Sequence, residues 1–383
     1  MLSFSRKGTL NVFLALVVIK LTLSPWSVGV WKGDVGLTIN YICDGSILAL
    51  ALMNLNVIPR QYSIILMFMI ISGITYALST IIYTAQVFLA FASLHLKVYL
   101  PIIVFIIISN LVVENDEYFL KRLRLLCIYL TFLMILGIFL LPSSDNRGEQ
   151  WLASYFGGLH STSYVATMVA IVVLLLGKVG LVGVRISYIW FSFLACLVFF
   201  GWGVRTATLV LIVYLLATYV HKLRVEGKYI YPVLLPVLVC IVAISSLLVA
   251  PEDVDAVSSG RISMYLEKYY QLSNNTFLQW IVGNGSGSDL IVTDVWWWAA
   301  KGAHSDVLTF LVEGGVVYLS AFLLTIFVLL ANGPSPSFKF LLLACFTSGM
   351  FSNGIFVRPS AGYMLAFALV AISMEYKNSV DRY

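Results

Sequence analysis

The sequence predicts an all-α polytopic membrane protein of about twelve transmembrane helices with one larger loop. Three observations carry that prediction. Of 383 residues, 61% are hydrophobic and only 11% charged, whereas a soluble domain carries roughly a quarter charged residues. Apolar runs of bilayer-crossing length recur from end to end. Basic residues collect in alternate connections between those runs, the pattern of a chain whose cytoplasmic connections are positive.

The first run, 9–31, follows Arg6 and Lys7 and is interrupted by Lys20. No small-residue cleavage site follows it, so a retained helix is expected rather than a removed leader. Runs at 37–57, 63–82 and 85–113 come next. In the last of these His95, Lys97 and Pro101 interrupt the apolar pattern, as in a broken or re-entrant helix. Spans at 125–141, 161–177, 187–202, 206–220 and 229–250 follow, and 304–331, 340–356 and 360–375 complete the series. One transmembrane domain therefore covers 1–383, with a loop at 251–303 inserted between the ninth and tenth spans.

An even number of crossings puts both termini on one side, and the basic residues test that arrangement. Fourteen of the 23 Lys and Arg fall on the side of the termini and two, Lys20 and Lys97, lie within spans. The other seven, Lys32, Arg147, Arg205, Arg261, Lys268, Lys301 and Arg358, lie opposite. Both termini are thus expected in the cytoplasm. Topology also accounts for the net charge of +5, so nucleic acid is not an expected partner. Cys43, Cys127, Cys196, Cys240 and Cys345 all sit in apolar segments, which argues against disulfides and zinc. No acidic cluster suggests another metal, and no cofactor is expected. The two connections long enough to hold structure, 142–160 and 251–303, lie on the side away from the termini, where chemistry is expected.

Candidate groups cluster there. Arg205 begins a span in Gly203-Val204-Arg205-Thr206-Ala207-Thr208, where its guanidinium would either meet an anion or snorkel to lipid headgroups. Arg358, before Pro359, is a similar case. Arg261 opens a helical stretch, Arg261 to Tyr270, after Ser258-Ser259-Gly260. It could grip a phosphate with two parallel hydrogen bonds or stand as a solvated charge. His304 leads His304-Ser305-Asp306, with Glu313-Gly314-Gly315 farther along the same helix. It suits base catalysis near neutral pH, the alternative being a helix-end contact. His160, at the outer end of the sixth span, could line the same cavity. The Gly283-Asn284-Gly285-Ser286-Gly287 run lacks the Lys-Ser or Lys-Thr of a phosphate loop and reads as a turn that shapes the large loop. Trp296-Trp297-Trp298 could stack on sugars, but interfacial tryptophans need no ligand.

In chain order, Arg205-Thr206-Ala207-Thr208-Leu209, Ser259-Gly260-Arg261, Gly283-Asn284-Gly285, and His304-Ser305 with Glu313-Gly314-Gly315 resemble the O-antigen ligase and O-antigen polymerase superfamily. These motifs lie between about 201 and 318. The resemblance implies a glycosyltransferase on the periplasmic face of the bacterial inner membrane, acting on a glycan carried by undecaprenyl diphosphate. An acceptor hydroxyl would attack the anomeric carbon and the lipid diphosphate would leave. Arg205 and Arg261 match the family's arginine positions for the diphosphate, and His304 matches its histidine, placed as the base. The expected partners are the lipid-linked glycan, membrane lipid and a chain-length regulator. A polymerase, which joins lipid-linked repeats, is expected before a ligase to lipid A core, because the compact large loop shows no docking surface for that core. The third possibility is a transporter or flippase of the lipid-linked glycan, whose signature would be paired broken helices with buried ions.

Overall fold

The computed structural model describes residues 5–27, 34–84, 88–113, 116–146, 149–225, 261–292, 300–351 and 354–380. The fold is all-α. Its helices are α1 (Arg6–Thr22), α2 (Asp34–Met53), α3 (Ser63–Ser79), α4 (Phe88–Leu111), α5 (Asp116–Leu140), α6 (Leu159–Lys178), α7 (Val184–Cys196) and α8 (Arg205–Val225). After the loop come α9 (Arg261–Ser273), α10 (Phe277–Val282), α11 (Asp306–Ala331), α12 (Pro336–Phe351) and α13 (Pro359–Val380).

Among the described residues, six helical stretches are long and apolar enough to cross a bilayer: Arg60–Thr84, Leu94–Leu111, Asp116–Leu140, Leu159–Lys178, Val184–Gly201 and Asp306–Ala331. Shorter apolar helices cover Thr38–Met53, Arg205–His221, Pro336–Phe351 and Pro359–Glu375. The chain is therefore a membrane-embedded protein. The expected span at 229–250 lies outside the described residues, and six of the expected twelve reach crossing length on their own.

Burial sorts the helices into an inner and an outer set. Every residue from Ser161 to Val173 on α6, and from Ser360 to Ile372 on α13, is buried. A helix apolar all round has no solvent face to offer, so these two occupy the middle of the bundle. The outer helices show apolar side chains outward: Phe139 on α5 is 79% exposed, and Phe200, just past α7, is 80% exposed. In water such a belt would be an aggregation surface, and hydrocarbon is the solvent that suits it.

The broken helix expected near 85–113 is instead one helix, α4, that runs through Pro101. Proline lacks an N–H, so the carbonyl of Lys97 loses its helical donor. The ring finds room against a glycine of α13, where a Cβ on Gly362 would stand 3.0 Å from Pro101 Cγ. The real break lies in α11, where Gly315 takes φ 68 and ψ −171. Within 142–160 the chain forms an antiparallel hairpin of β1 (Ser144–Asn146) and β2 (Glu149–Trp151), with Asp145 opposite Gln150.

Candidate functional site

The large loop is fastened to the bundle by the glycine turn. The kink in α11 frees carbonyls that a continuous helix would satisfy, and the turn supplies their donors. Asn284 N donates to Val312 O at 2.9 Å and Gly285 N to Glu313 O at 3.0 Å. The Glu313 carboxylate accepts from Gly287 N at 3.0 Å and from Tyr76 Oη at 2.6 Å. Ser286 N donates to Thr80 Oγ1 at 3.0 Å, which ties the turn to the π-helical end of α3 at Thr80–Thr84. Gly283-Asn284-Gly285 and Glu313-Gly314-Gly315 are thus two halves of one joint. The expectation of a turn that shapes the loop holds, and Glu313 is held as part of that joint.

α9 lies across this turn. It buries Met264, Lys268 and Leu272 on one face and exposes Tyr269 and Tyr270 on the other. The Lys268 ammonium lies 3.0 Å from Asp289 Oδ1 and also donates to the Asp289 carbonyl. Gln271 Nε2 donates to Ser288 O at 2.8 Å. α10 follows under a capping box, in which Thr276 and Gln279 satisfy each other's backbone donors. At the start of α9, Arg261 Nη1 donates to Phe351 O at 2.8 Å, which pins the guanidinium beside the end of α12.

His304 is clamped from both sides. On one, Ala303 N donates to Asp289 Oδ2 at 2.9 Å, and Thr309 Oγ1 donates to the same oxygen at 2.7 Å. On the other, Ser305 caps α11: its hydroxyl accepts from Leu308 N at 3.4 Å and donates to Met350 O at 2.8 Å. The cap of α11 is thus Ser305 and not His304. Between these anchors His304 takes φ 50, a left-handed conformation that no other non-glycine adopts among the described residues. A strained backbone held by its neighbours is a frequent mark of a functional position.

The charges around the imidazole are Arg261, Lys301, Asp289 and Arg358. Burial is the first cause that lowers its pKa, to about 4, and Arg261 and Lys301 add to it. The ring is therefore neutral at pH 7. His160 belongs to the same cluster, since Arg358, Arg261 and His304 all act on it electrostatically. Arg358 Nη1 donates to Ser161 Oγ at 3.3 Å, one residue on. Asp306 lies behind, with Gly354 N donating to its Oδ1 at 2.8 Å.

Arg205 is exposed at the start of α8. The hairpin loop sets that start: Leu152 N donates to Gly201 O at 2.9 Å and Trp202 Nε1 to Ala153 O at 3.1 Å. Gly203 takes φ 60, with the Trp151 ring where a Cβ would be. Thr206, one residue past Arg205, neighbours Tyr164 on α6, whose hydroxyl bonds Ser348. The structure thus gathers Arg261, His304, His160 and Arg358, while Arg205 is not among the charges acting on His304. Arg358 is the member that the sequence least singled out, its one signal being a basic residue before a helix-starting Pro359. The tryptophans 296–298 lie outside the described residues.

Fold and site together define an all-α membrane-embedded protein with a cluster of arginines and histidines at one end of its bundle. No family model matches the chain, and neither a curated protein nor a solved structure matches it.

Proposed function

We propose that this protein is an O-antigen polymerase, a membrane glycosyltransferase that joins undecaprenyl-diphosphate-linked oligosaccharide repeats on the periplasmic face of the inner membrane. The observation that supports it is a neutral, strained His304 set among Arg261 and Arg358 at the loop end of the bundle. In this reading the acceptor hydroxyl loses its proton to His304 while its oxygen bonds to the anomeric carbon of the donor sugar. The bond from that carbon to the phosphate oxygen breaks, and the lipid diphosphate leaves with the electron pair. Arg261 stabilises the charge that builds on the leaving group, and Arg205 receives the diphosphate from the exposed start of α8.

The ligase reading uses the same groups with lipid A core as acceptor. The transporter reading needs helix breaks whose freed carbonyls face an ion. In α11 the carbonyls of Val312 and Glu313 are instead occupied by the Asn284-Gly285 backbone, which favours the enzyme. Deletion of the gene in its host separates the outcomes. Single repeats on lipid A core are expected for a lost polymerase. Absent O-antigen with accumulated lipid-linked polymer would mark a ligase, and unaltered surface polysaccharide would reject both.

A further inference from the structure

Two cations that the reaction steps above leave unused sit on neighbouring helices of the bundle. α4 and α13 both begin at the loop end, and they meet where the Pro101 ring packs on Gly362. One turn earlier on each helix, four residues back, are Lys97 and Arg358. Lys97 lies nine residues into α4, about 13 Å along the helix from Phe88.

The charges around Lys97 are Lys20, Asp44, Glu313 and Arg358. Both carboxylates are already engaged. Asp44 Oδ1 is held by Lys20 Nζ at 2.6 Å and by Tyr363 Oη at 3.3 Å, and Lys20 also donates to Asn40 Oδ1 at 2.7 Å. Glu313 is held by Tyr76 and the Gly287 amide. Lys97 itself forms no hydrogen bond or ion pair with another of the described residues. A cation at membrane depth that is paired with nothing, and set beside a second cation, is expensive unless an anion arrives.

We propose that Lys97 and Arg358 hold the lipid-proximal phosphate of a lipid diphosphate, next to the cluster of Arg261 and His304. This rests on the function proposed above and extends it. The sugar-bearing phosphate would meet Arg261 at the loop end while the second phosphate, joined to the lipid, reaches the pair between α4 and α13. The site would then read a diphosphate as such, since a monophosphate cannot satisfy both places at once.

The test is binding by the purified full chain in nanodiscs, with undecaprenyl diphosphate, undecaprenyl monophosphate and inorganic diphosphate as probes. Wild type should prefer the lipid diphosphate to both others. Lys97→Met should weaken it by about 10- to 100-fold, the loss of one charge-assisted contact, and should remove most of the preference over the monophosphate. Lys97→Arg should retain it. The ligand-free melting temperature of Lys97→Met should hold or rise, because an unmatched charge has been removed. If the methionine variant does not fold, Lys97→Gln carries the same expectation. A lower ligand-free melting temperature with unaltered affinity would make Lys97 a structural residue and overturn the inference, leaving the proposed function intact. Inorganic diphosphate bound as tightly as the lipid form would overturn the lipid assignment. Wild type that binds no lipid diphosphate would sink the proposed function itself.

Discussion

The backbone carbonyl of Glu313 occupies the space that a Cβ on Gly283 would need. Gly283 also has φ +83, and Gly315, facing it, has φ +68 with the Gly283 amide nitrogen in its own Cβ position. The loop and α11 interlock backbone to backbone, so both glycines are required by shape. Gly283→Ala and Gly315→Ala should each destabilise the protein by about 1–3 kcal/mol through the positive φ, with the steric clash adding to it. Thermal unfolding in detergent measures this. Wild-type melting for either variant would mean that the joint is looser than described.

Lys268 and Asp289 form the second fastening of the loop, at 0% and 4% side-chain exposure. Removing one partner strands the other charge in a buried place, so Lys268→Met should cost about 3–5 kcal/mol. Lys268→Met combined with Asp289→Asn should recover a large part of that loss, because the amide keeps an oxygen for Ala303 N and Thr309 Oγ1 without a charge to compensate. The comparison is again by melting. Equal losses in the single and double variants would assign the effect to packing.

His304 and Ser305 have separable tasks. Ser305→Ala removes a cap and should lower stability by about 0.5–2 kcal/mol. His304→Ala should lower turnover by about 10²–10⁴-fold with donor binding largely intact, and His304→Asn should be nearly as poor, since an amide cannot take the proton. Near wild-type turnover for His304→Asn would reject the base role.

Much of this arrangement could be read in the chain. Apolar runs gave the helices, and the glycine run read correctly as a turn because it lacked the lysine of a phosphate loop. The sequence misplaced the break: Pro101 is a stronger helix breaker than Gly315, yet the smooth face of Gly362 accommodates the proline, while the kink at Gly315 is supported by donors that lie 28 residues upstream of the carbonyls of Val312 and Glu313. Such compensation depends on which helices touch, and that is a tertiary fact. For the same reason it was illegible that Arg358 adds to the charge around His304, and that Lys97 and Arg358 sit on packed helices. The capping box at Thr276 and Gln279 was local, and could have been found from its spacing.

The electrostatics of His304 give a pH prediction. Its pKa is lowered to about 4 by burial, then by Arg261 and Lys301. A base acts in its deprotonated form, so kcat/KM, which reports the free enzyme, should fall on the acid side near pH 4. Bound diphosphate would offset the neighbouring positive charges and raise the pKa, which moves the acid limb of kcat to higher pH. Rates measured across pH 3.5–8 with saturating and limiting donor give both limbs. An acid limb of kcat below that of kcat/KM would reverse the sign and contradict the assignment.

In the proposed reaction, arginines at the loop end activate a lipid-diphosphate donor for attack by an acceptor sugar. Purified protein in nanodiscs, supplied with undecaprenyl-diphosphate-linked repeats, can be followed by mass spectrometry for joined repeats and released undecaprenyl diphosphate together. Equal amounts of the two products are predicted for wild type. Arg261→Ala and Arg205→Ala should form neither, and Arg261→Lys should recover little, because a point charge lacks the planar fork. Donor that stays intact with wild type, or full product formation by both alanine variants, would contradict the account.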